Sequence, residues 1–231
     1  MSLLSSDAPD LEVGPHGVTL GRKSAVAQML TLDNLAASLD ALPADSLPRR
    51  GSLQVTIDNA WARWQVVEVP PGISGHDEQH ALVRSRMIEV FGTTAQGWVF
   101  SWDPRPAASV LACALDAALV QRLQAWSAAR GLRLKSVQPA WLRAYANLRG
   151  DAATGGFAQL RHGWLCMGLW SAGRWLHVRG EALSDPAAIG ALLERRLSLF
   201  DGELSGGQLF LHGAPAVSLP RGWRCVAGAA S

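Results

Sequence analysis

The stretch LACALDAALVQRLQAWSAARGLRLKSVQPA, residues 111–140, determines the predicted fold class. Its first residues form a short apolar run typical of a buried strand, and Asp116 follows where a side-chain oxygen can cap a helix. Apolar residues then recur at helical spacing as far as Trp126, and Gly131 is a helix stop. Leu132 to Val137 predicts a second strand. Strand, helix and strand in succession indicate an α/β protein.

Upstream of this stretch, turn-forming residues divide the sequence into strand and helix patterns. The predicted elements are a hairpin or strand-loop-strand over 11–20, a helix over 24–42, strands at 53–57 and 61–69, a helix over 76–91 and a strand over 98–102. Ser24 is a candidate cap of the first helix. Asp58 and Asn59 are turn formers, so we expect the two strands that flank them to form a hairpin.

Downstream, Pro139 suits the first turn of a further helix. The run GDAATGG, residues 150–156, is the strongest linker signal in the chain, and we expect a lobe boundary there. The elements predicted beyond it are strands at 157–160, 164–170 and 175–178, a helix over 185–200 and closing strands at 208–212 and 223–226. Hairpins lead into helices on both sides of the linker, which indicates a mixed α/β fold with two related lobes.

The composition excludes several classes of function. The chain has 231 residues, of which 48% are hydrophobic and 17% charged, and its net charge is +2. Its arginines are scattered, so we expect no nucleic-acid partner. Cys113, Cys166 and Cys225 lie in apolar runs, which predicts buried, reduced thiols in the cytoplasm. No apolar run approaches the ~20 residues that cross a bilayer, so we expect no direct membrane span.

Two local patterns suggest metal or phosphate chemistry, and both are incomplete. His76 and His80 are four residues apart on one helical face, but neither flanking position carries the glutamate that zinc hydrolases require. Residues 21–24, GRKS, have the lysine and serine of a phosphate loop at the wrong spacing. We therefore expect no metal site and no catalytic residue, and a small zinc-dependent hydrolase remains a minor alternative.

The aromatic residues are the best candidates for partner binding. The chain has ten tryptophans and one tyrosine. Trp61 and Trp64 lie on one predicted hairpin, and Trp164, Trp170 and Trp175 on another. Their spacings place members of each group on opposite strand faces, so some are expected to be exposed as binding hot spots, while core packing is the alternative for each.

From Leu53 onward, the order of elements resembles the actin-like proteins of type IV pilus and type II secretion platforms. The residues that carry this resemblance are 111–116 and 130–139, which are similar to the family's strand, helix, Gly-Leu turn and second strand. The resemblance implies an actin-like (ribonuclease H-like) fold of two lobes, with mixed sheets flanked by helices. The lobes would be residues 1–150, with an inserted hairpin-helix subdomain at about 53–105, and a shortened second lobe at 151–231.

The resemblance also identifies the positions of a nucleotide site, and these positions are degenerate. Glu12 and Gly14 stand where the family has the aspartate and glycine of its first phosphate loop. Counting back from Gly173 and Arg179, which fit the family pattern, the aspartate and glycine of the second loop fall on Ala158 and Leu160. The adenosine-contacting glycine turn has only Gly213. Without the aspartates that hold magnesium, we expect no cofactor.

The implied function is a non-catalytic scaffold of a pilus or type II secretion platform, at the inner face of the inner membrane. Its partners would be a membrane-anchored platform protein and the motor ATPase of the platform, while homodimer formation is left open. In the family, the region corresponding to 53–92 helps to form binding surfaces. The candidate partner-binding residues are Trp61, Trp64, Arg84, Trp98 and Trp102.

The alternative function is a divergent actin-like ATP-binding protein or phosphotransferase. It would use Glu12 and Asp201 in place of the usual aspartates.

Overall fold

Alternating strands and helices make up the chain. The structure is a computed structural model that describes residues 9–21, 23–25, 29–47, 51–102, 108–148 and 152–227. The strands and helices, in chain order, are β1 (Asp10–Gly14), β2 (Gly17–Leu20), β3 (Lys23–Ala25), α1 (Leu35–Asp40), β4 (Gly51–Ile57), β5 (Arg63–Glu68), α2 (His76–Phe91), β6 (Trp98–Trp102), β7 (Ser109–Asp116), α3 (Ala117–Ala129), β8 (Leu132–Pro139), α4 (Ala140–Ala146), β9 (Thr154–Arg161), β10 (Trp164–Ser171), β11 (Arg174–Ala182), α5 (Ile189–Ser198), β12 (Gly207–His212) and β13 (Trp223–Ala227).

The chain divides into two units. The first consists of Met1–Trp61 and Asp116–Arg143, and the second of Ala62–Leu115 and Ala144–Ser231. The lobe boundary expected at residue 151 falls outside the described residues, and the predicted limits 1–150 and 151–231 stay predictions. Within the described residues, no helix is both long and apolar enough to cross a membrane.

The first unit contains a mixed five-stranded sheet in the order β3-β2-β1-β4-β8. β1, β4 and β8 are parallel to one another, while β1, β2 and β3 form an antiparallel meander. The inward-facing side chains of the sheet are apolar and almost fully buried, including Leu11, Val13, Leu53, Val55 and Ile57. This alternation of buried and less buried residues is the period-2 pattern of strands with one face on a core.

Helix α3 covers part of this sheet. Asp116 begins it, because the carboxylate Oδ1 accepts a hydrogen bond from the backbone N–H of Ala118 at 2.7 Å. The helix packs on β8. Trp126 near its end donates from Nε1 to Asp40 Oδ1 at 3.1 Å, and Arg130 binds the same oxygen at 2.6 Å while its guanidinium lies 4.4 Å from the Trp126 ring. These contacts fix α3 against α1.

The second unit contains two sheets. The larger has the order β11-β10-β9-β12-β13, and the smaller has the order β5-β7-β6. The larger sheet packs on α5 through a core of apolar side chains that includes Leu165, Leu169, Leu193 and Leu209. The smaller sheet packs on α2 through a separate core that includes Val67, Val83, Met87 and Ala112.

The two five-stranded sheets share one topology. In each, an antiparallel meander of three strands (β3-β2-β1 and β11-β10-β9) is extended by two parallel strands (β4-β8 and β12-β13). The two related halves that the sequence predicted are therefore present as two sheets of equal strand order. The prediction of a mixed α/β fold is confirmed.

Several local predictions are wrong for identifiable reasons. Within the described residues the expected helix over 24–42 is reduced to α1, and Ser24, its predicted cap, lies in β3 opposite Thr19. The expected hairpin across Asp58 and Asn59 does not form, because β4 pairs with β1 and β8 while β5 pairs with β7. In both cases long-range strand pairing overrides a local signal.

The predicted linker is also partly wrong. Gly155 and Gly156 lie inside β9, not in a loop. A Cβ atom on Gly155 would come 2.9 Å from the Trp170 ring, and one on Gly156 would come 2.7 Å from Leu169. These glycines therefore permit close packing of side chains on the strand.

Candidate functional site

The hairpin of β1 and β2 contains the first of the expected nucleotide-site positions, Glu12 and Gly14. Asp58, directly after β4, lies against it. The backbone N–H of Asp58 donates to Val13 O at 2.8 Å, and a Cβ atom on Gly14 would lie 2.6 Å from Asp58 Cβ. Asp58 is only 4% exposed, and its Oδ1 accepts a hydrogen bond from Ala60 N at 3.0 Å. One buried carboxylate thus stands beside the glycine turn, where the carboxyl ends of two parallel strands meet.

Sequence reasoning missed Asp58 because it assigned this residue to a hairpin turn. The available signal was an acidic residue immediately after a buried strand end. Its neighbour Asn59 is fully buried and accepts a hydrogen bond from Trp141 N at 2.7 Å, at the start of α4. Asp58 and Asn59 therefore both stabilise the first unit internally. The Asp58 carboxylate accepts a hydrogen bond within the turn, and the Asn59 side-chain oxygen accepts one from the first turn of α4.

A second polar cluster joins β1, β4 and α4. Arg143 Nη1 donates to Asp10 Oδ1 at 2.5 Å and to Thr56 Oγ1 at 2.7 Å. Thr56 also donates to the Asp10 carboxylate at 2.9 Å. The Asp10 oxygen is thus held by two donors, which stabilises the pairing of β1 with β4.

The hairpin of β9 and β10 contains the second pair of expected positions, and the residues at those positions are apolar. Arg161 and Trp164 face each other across a two-residue turn in which His162 and Gly163 have φ values of 49° and 72°. Two left-handed residues make the tight type of turn that joins twisted antiparallel strands. Ala158, at the expected aspartate position, is fully buried, and Leu160, at the expected glycine position, packs against the core under α5.

Gly213, at the expected adenosine-contacting turn, approaches the protein's own backbone. Its φ is +78°, and a Cβ atom there would lie 2.0 Å from the carbonyl oxygen of Leu160. Only glycine fits such a contact. The close packing of the turn after β12 onto β9 therefore accounts for Gly213 without a ligand.

The candidate partner-binding residues are distributed over both units. Trp61 lies in a short 3-10 helix after β4 and is half-buried, whereas Trp64 in β5 is buried. Arg84 is exposed on α2. Trp98 and Trp102 on β6 are half-buried and pack against the α2 core. Their roles in partner binding stay predictions.

The two histidines considered as zinc ligands lie against an indole. His76 and His80 have their ring centroids 5.0 and 5.5 Å from that of Trp102, and Trp102 Nε1 donates to Gln79 Oε1 at 3.1 Å. In the part of the chain that the structure describes, no group of three or more His, Cys, Asp and Glu side chains could hold a metal ion. The pair instead extends the aromatic packing of β6 on α2.

Two of the three thiols are poorly suited to nucleophilic chemistry. All three cysteines are free; Cys113 and Cys166 are buried as predicted, whereas the prediction of burial is wrong for Cys225, which is half-buried. Burial raises the pKa of the Cys113 thiol far above its ordinary value, and burial together with the neighbouring Cys113 raises the pKa of Cys166. A thiol that stays protonated is a weak nucleophile, so both residues act as small apolar side chains.

A groove of about 730 Å³ is a prominent concavity of the second unit. β5 and β11 form its sides together with the end of α2, the start of β10 and the loop after α5. The charged side chains that line it are Arg63, Glu68, Arg174, Arg179 and Glu203. Trp64, Trp164 and Trp175 also line it, so arginines and tryptophans, the residue types most frequent in binding hot spots, meet in this groove.

The strand order and the repeated topology define an actin-like ATPase fold. Solved structures with this likeness include the following three, each with a TM-score above 0.5. The cytoplasmic domain of EpsL, an inner membrane component of the type II secretion system of Vibrio cholerae, has a TM-score of 0.59 at 15% identity, over 95% of this chain and 89% of that one. A chain of the PilM–PilN type IV pilus biogenesis complex has a TM-score of 0.61 at 16% identity, over 88% and 80%.

The third is a Bacteroides thetaiotaomicron protein with an actin-like ATPase fold and unknown function, with a TM-score of 0.54 at 10% identity over 90% of this chain and 82% of that one. The sequence itself matches no protein-family model and none of the curated proteins. At these identities the likeness shows the fold. The predicted resemblance to actin-like platform proteins is confirmed at that level, and this chain shares the fold of the EpsL cytoplasmic domain and of PilM.

Proposed function

We propose that this protein is a non-catalytic scaffold of a pilus or type II secretion assembly platform. It acts at the cytoplasmic face of the inner membrane, where it binds a membrane-anchored platform protein and the motor ATPase. Two of the similar structures reported above belong to such systems: one is an inner membrane component of type II secretion, and the other comes from a complex of PilM with PilN. The fold, however, hosts many activities, so the site has to carry the argument.

The observation that carries the proposal is the apolar second hairpin. A magnesium nucleotide in an actin-like site needs a carboxylate for the metal and a glycine that lets backbone amides approach phosphate. Here Ala158 and Leu160 occupy those two positions. Ala158 belongs to the core that packs on α5, and the half-buried Leu160 packs against that core. A polar side chain at Ala158 would be fully buried, so the second hairpin supports packing and opposes metal binding.

One observation favours the alternative, a divergent ATP-binding protein. Asp58 is a buried carboxylate directly beside Gly14 in the first hairpin. It is a better candidate for an organising acid than Asp201, which is exposed in the turn after α5. The alternative function therefore depends on Asp58.

Calorimetry with Mg-ATP separates the two functions. The scaffold proposal predicts no heat of binding at millimolar Mg-ATP for the wild-type chain. Binding that is lost in Asp58→Asn and kept in Asp201→Asn would establish the alternative.

Partner capture tests the scaffold directly. The immobilised chain is expected to retain pilus or secretion inner-membrane proteins from detergent-solubilised membranes of the organism that encodes it, and mass spectrometry identifies them. If no platform component is captured from cells that express a pilus or type II secretion platform, the proposal is contradicted.

A further inference from the structure

Three arginines and two glutamates line the groove beside β5 and β11. Arg174 Nη2 binds Glu68 Oε1 at 2.9 Å, which pairs one arginine with one glutamate. The nearby Glu181 is held by Arg196 through two bonds of 2.7 Å each. Among the described residues Arg179 has no salt bridge, and its side chain is exposed. Arg179 is therefore available to an external carboxylate.

The two strands that form the groove lie at the edges of different sheets. β5 pairs with β7 in the smaller sheet, and β11 pairs with β10 in the larger sheet. The two strands are in contact. At one end Ser109 Oγ, on the neighbouring strand β7, donates to Trp175 O at 2.9 Å, next to the ion pair of Arg174 with Glu68. Strand edges present backbone N–H and C=O groups, the usual recognition elements for an extended peptide.

Two buried polar atoms in the groove lining lack a hydrogen-bond partner in the described structure. They are Nε1 of Trp164 and Nε2 of His177. The Trp164 ring lies directly over β11, since a Cβ atom on Gly180 would come 2.6 Å from Trp164 Nε1. A buried polar atom without a partner costs free energy. Both atoms are inaccessible to solvent, so they are not themselves contact points for a ligand in the groove.

An apolar contact point lies on the wall of the same groove. Val90, near the end of α2, is 52% exposed, and Phe91 stands next to it. Exposed large apolar side chains are few in the described part of the chain, and the four are Met29, Val90, Val99 and Leu199. Val90 is the one of these that lines the groove, so apolar and basic contacts lie within one concavity.

We infer that this groove binds an extended peptide segment of a partner protein that carries a carboxylate side chain next to an apolar side chain. The inference rests on the proposed scaffold function and names the chemistry of the partner. The carboxylate binds Arg179 through charge-assisted hydrogen bonds. The apolar side chain packs between Val90 and Trp164, and the peptide backbone follows the strand edges. Glu203 on the rim disfavours a segment with many acids, so one or two carboxylates fit best.

A random twelve-residue peptide library displayed on phage identifies such segments directly, whichever protein supplies them. Selection on the immobilised full chain is expected to enrich Asp or Glu beside Leu, Ile, Val or Phe. The most enriched sequence is then synthesised with a fluorescein label, and its affinity is measured by fluorescence anisotropy. Failure to enrich any sequence, or enrichment of sequences without a carboxylate, would overturn the inference.

Matched variants locate the binding. Arg179→Glu is expected to lower the affinity for the peptide at least tenfold, and Arg179→Gln and Val90→Ser are each expected to lower it several-fold. Arg221→Glu is the control, because Arg221 is an exposed arginine of the same unit outside the groove. This variant should bind the peptide with the affinity of the wild type. Affinity should also fall as potassium chloride rises, since the contact is ionic. If Arg179→Glu and the wild type bound the peptide equally well, the peptide would bind elsewhere, and the inference that it binds in the groove would be wrong.

The scaffold proposal is tested separately. If the Arg179→Glu variant captures the same platform proteins from membranes and the selected peptide does not compete, the groove inference fails and the scaffold function stands. If Mg-ATP binds through Asp58, the scaffold function fails whatever the peptide result.

Discussion

The hairpins β1–β2 and β9–β10 occupy the same place in two sheets of equal strand order, yet their chemistry differs. The first hairpin keeps Gly14 and has the buried carboxylate of Asp58 against it. The second has Ala158 in an apolar core and Leu160 half-buried against that core. The comparison shows that the strand ladder and the site chemistry vary independently, because backbone pairing needs only strands, whereas a metal site needs particular side chains.

The largest expected effect tests whether the second hairpin has become part of the core. Ala158→Asp introduces an acid at the position where the family resemblance expects one but buries it without a partner, and we expect it to lower the free energy of unfolding by about 3–5 kcal/mol. Denaturant unfolding at pH 7 measures it. The reverse exchange in the first sheet, Glu12→Ala, is the control, and it should cost at most about 1 kcal/mol because Glu12 is only half-buried. Similar costs for both would mean that the two hairpins do not differ as described.

A smaller effect tests the close approach in the first hairpin. Gly14→Ala places a Cβ atom 2.6 Å from Asp58 Cβ, so we expect a loss of about 1–3 kcal/mol from overpacking. The loss should shrink in an Asp58→Gly background, which removes the opposing Cβ, and persist in an Asp58→Ala background, which keeps it. A double-mutant cycle in urea measures this coupling. An additive cycle with Asp58→Gly would show that the two residues are not in contact.

The smallest expected effect is a pH dependence in the second unit. Burial, followed by the positive charges of Arg196 and Arg179, lowers the pKa of His177 from its ordinary value of 6.5, while Glu181 acts in the opposite direction. Below pH 6.5 the unfolded chain takes up a proton at this residue and the folded chain does not, so acidification favours unfolding. As the pH falls from about 7.5 to about 5.5, the free energy of unfolding of the wild type should therefore decrease relative to that of His177→Gln. A constant difference over that range would contradict the prediction.

Much of the second unit was predictable because its signals are local. The strands β9, β10 and β11 are short apolar runs separated by turns that contain glycine, and Asp185 begins the next helical segment by accepting a hydrogen bond from Ala187 N at 2.9 Å. The helix α2 and the succession of β7, α3 and β8 were likewise predictable from apolar spacing and end signals. The expected nucleotide-site positions, such as Ala158 and Leu160, were identified from a family resemblance, because no local sequence pattern marks them.

The remaining features depended on distant partners. A helix was expected around Ser24, where pairing with β2 produces a strand, and a hairpin was expected at Asp58, where the chain passes from one sheet to another. The groove was missed because its arginines and tryptophans come from separate strands and a helix. No spacing within either strand indicates that Trp64 and Arg179 line one concavity.

By itself, the sequence determined where many of the strands and helices begin and end, since period, caps and turn formers act over a few residues. The family resemblance, read from the sequence, predicted that Ala158 stands at the aspartate position of a second phosphate loop. The tertiary structure alone decided which strands are neighbours, that Asp58 lies against Gly14 and that basic and aromatic side chains share a groove. Those outcomes follow from burial and strand pairing between residues far apart in the chain, which local preferences do not encode.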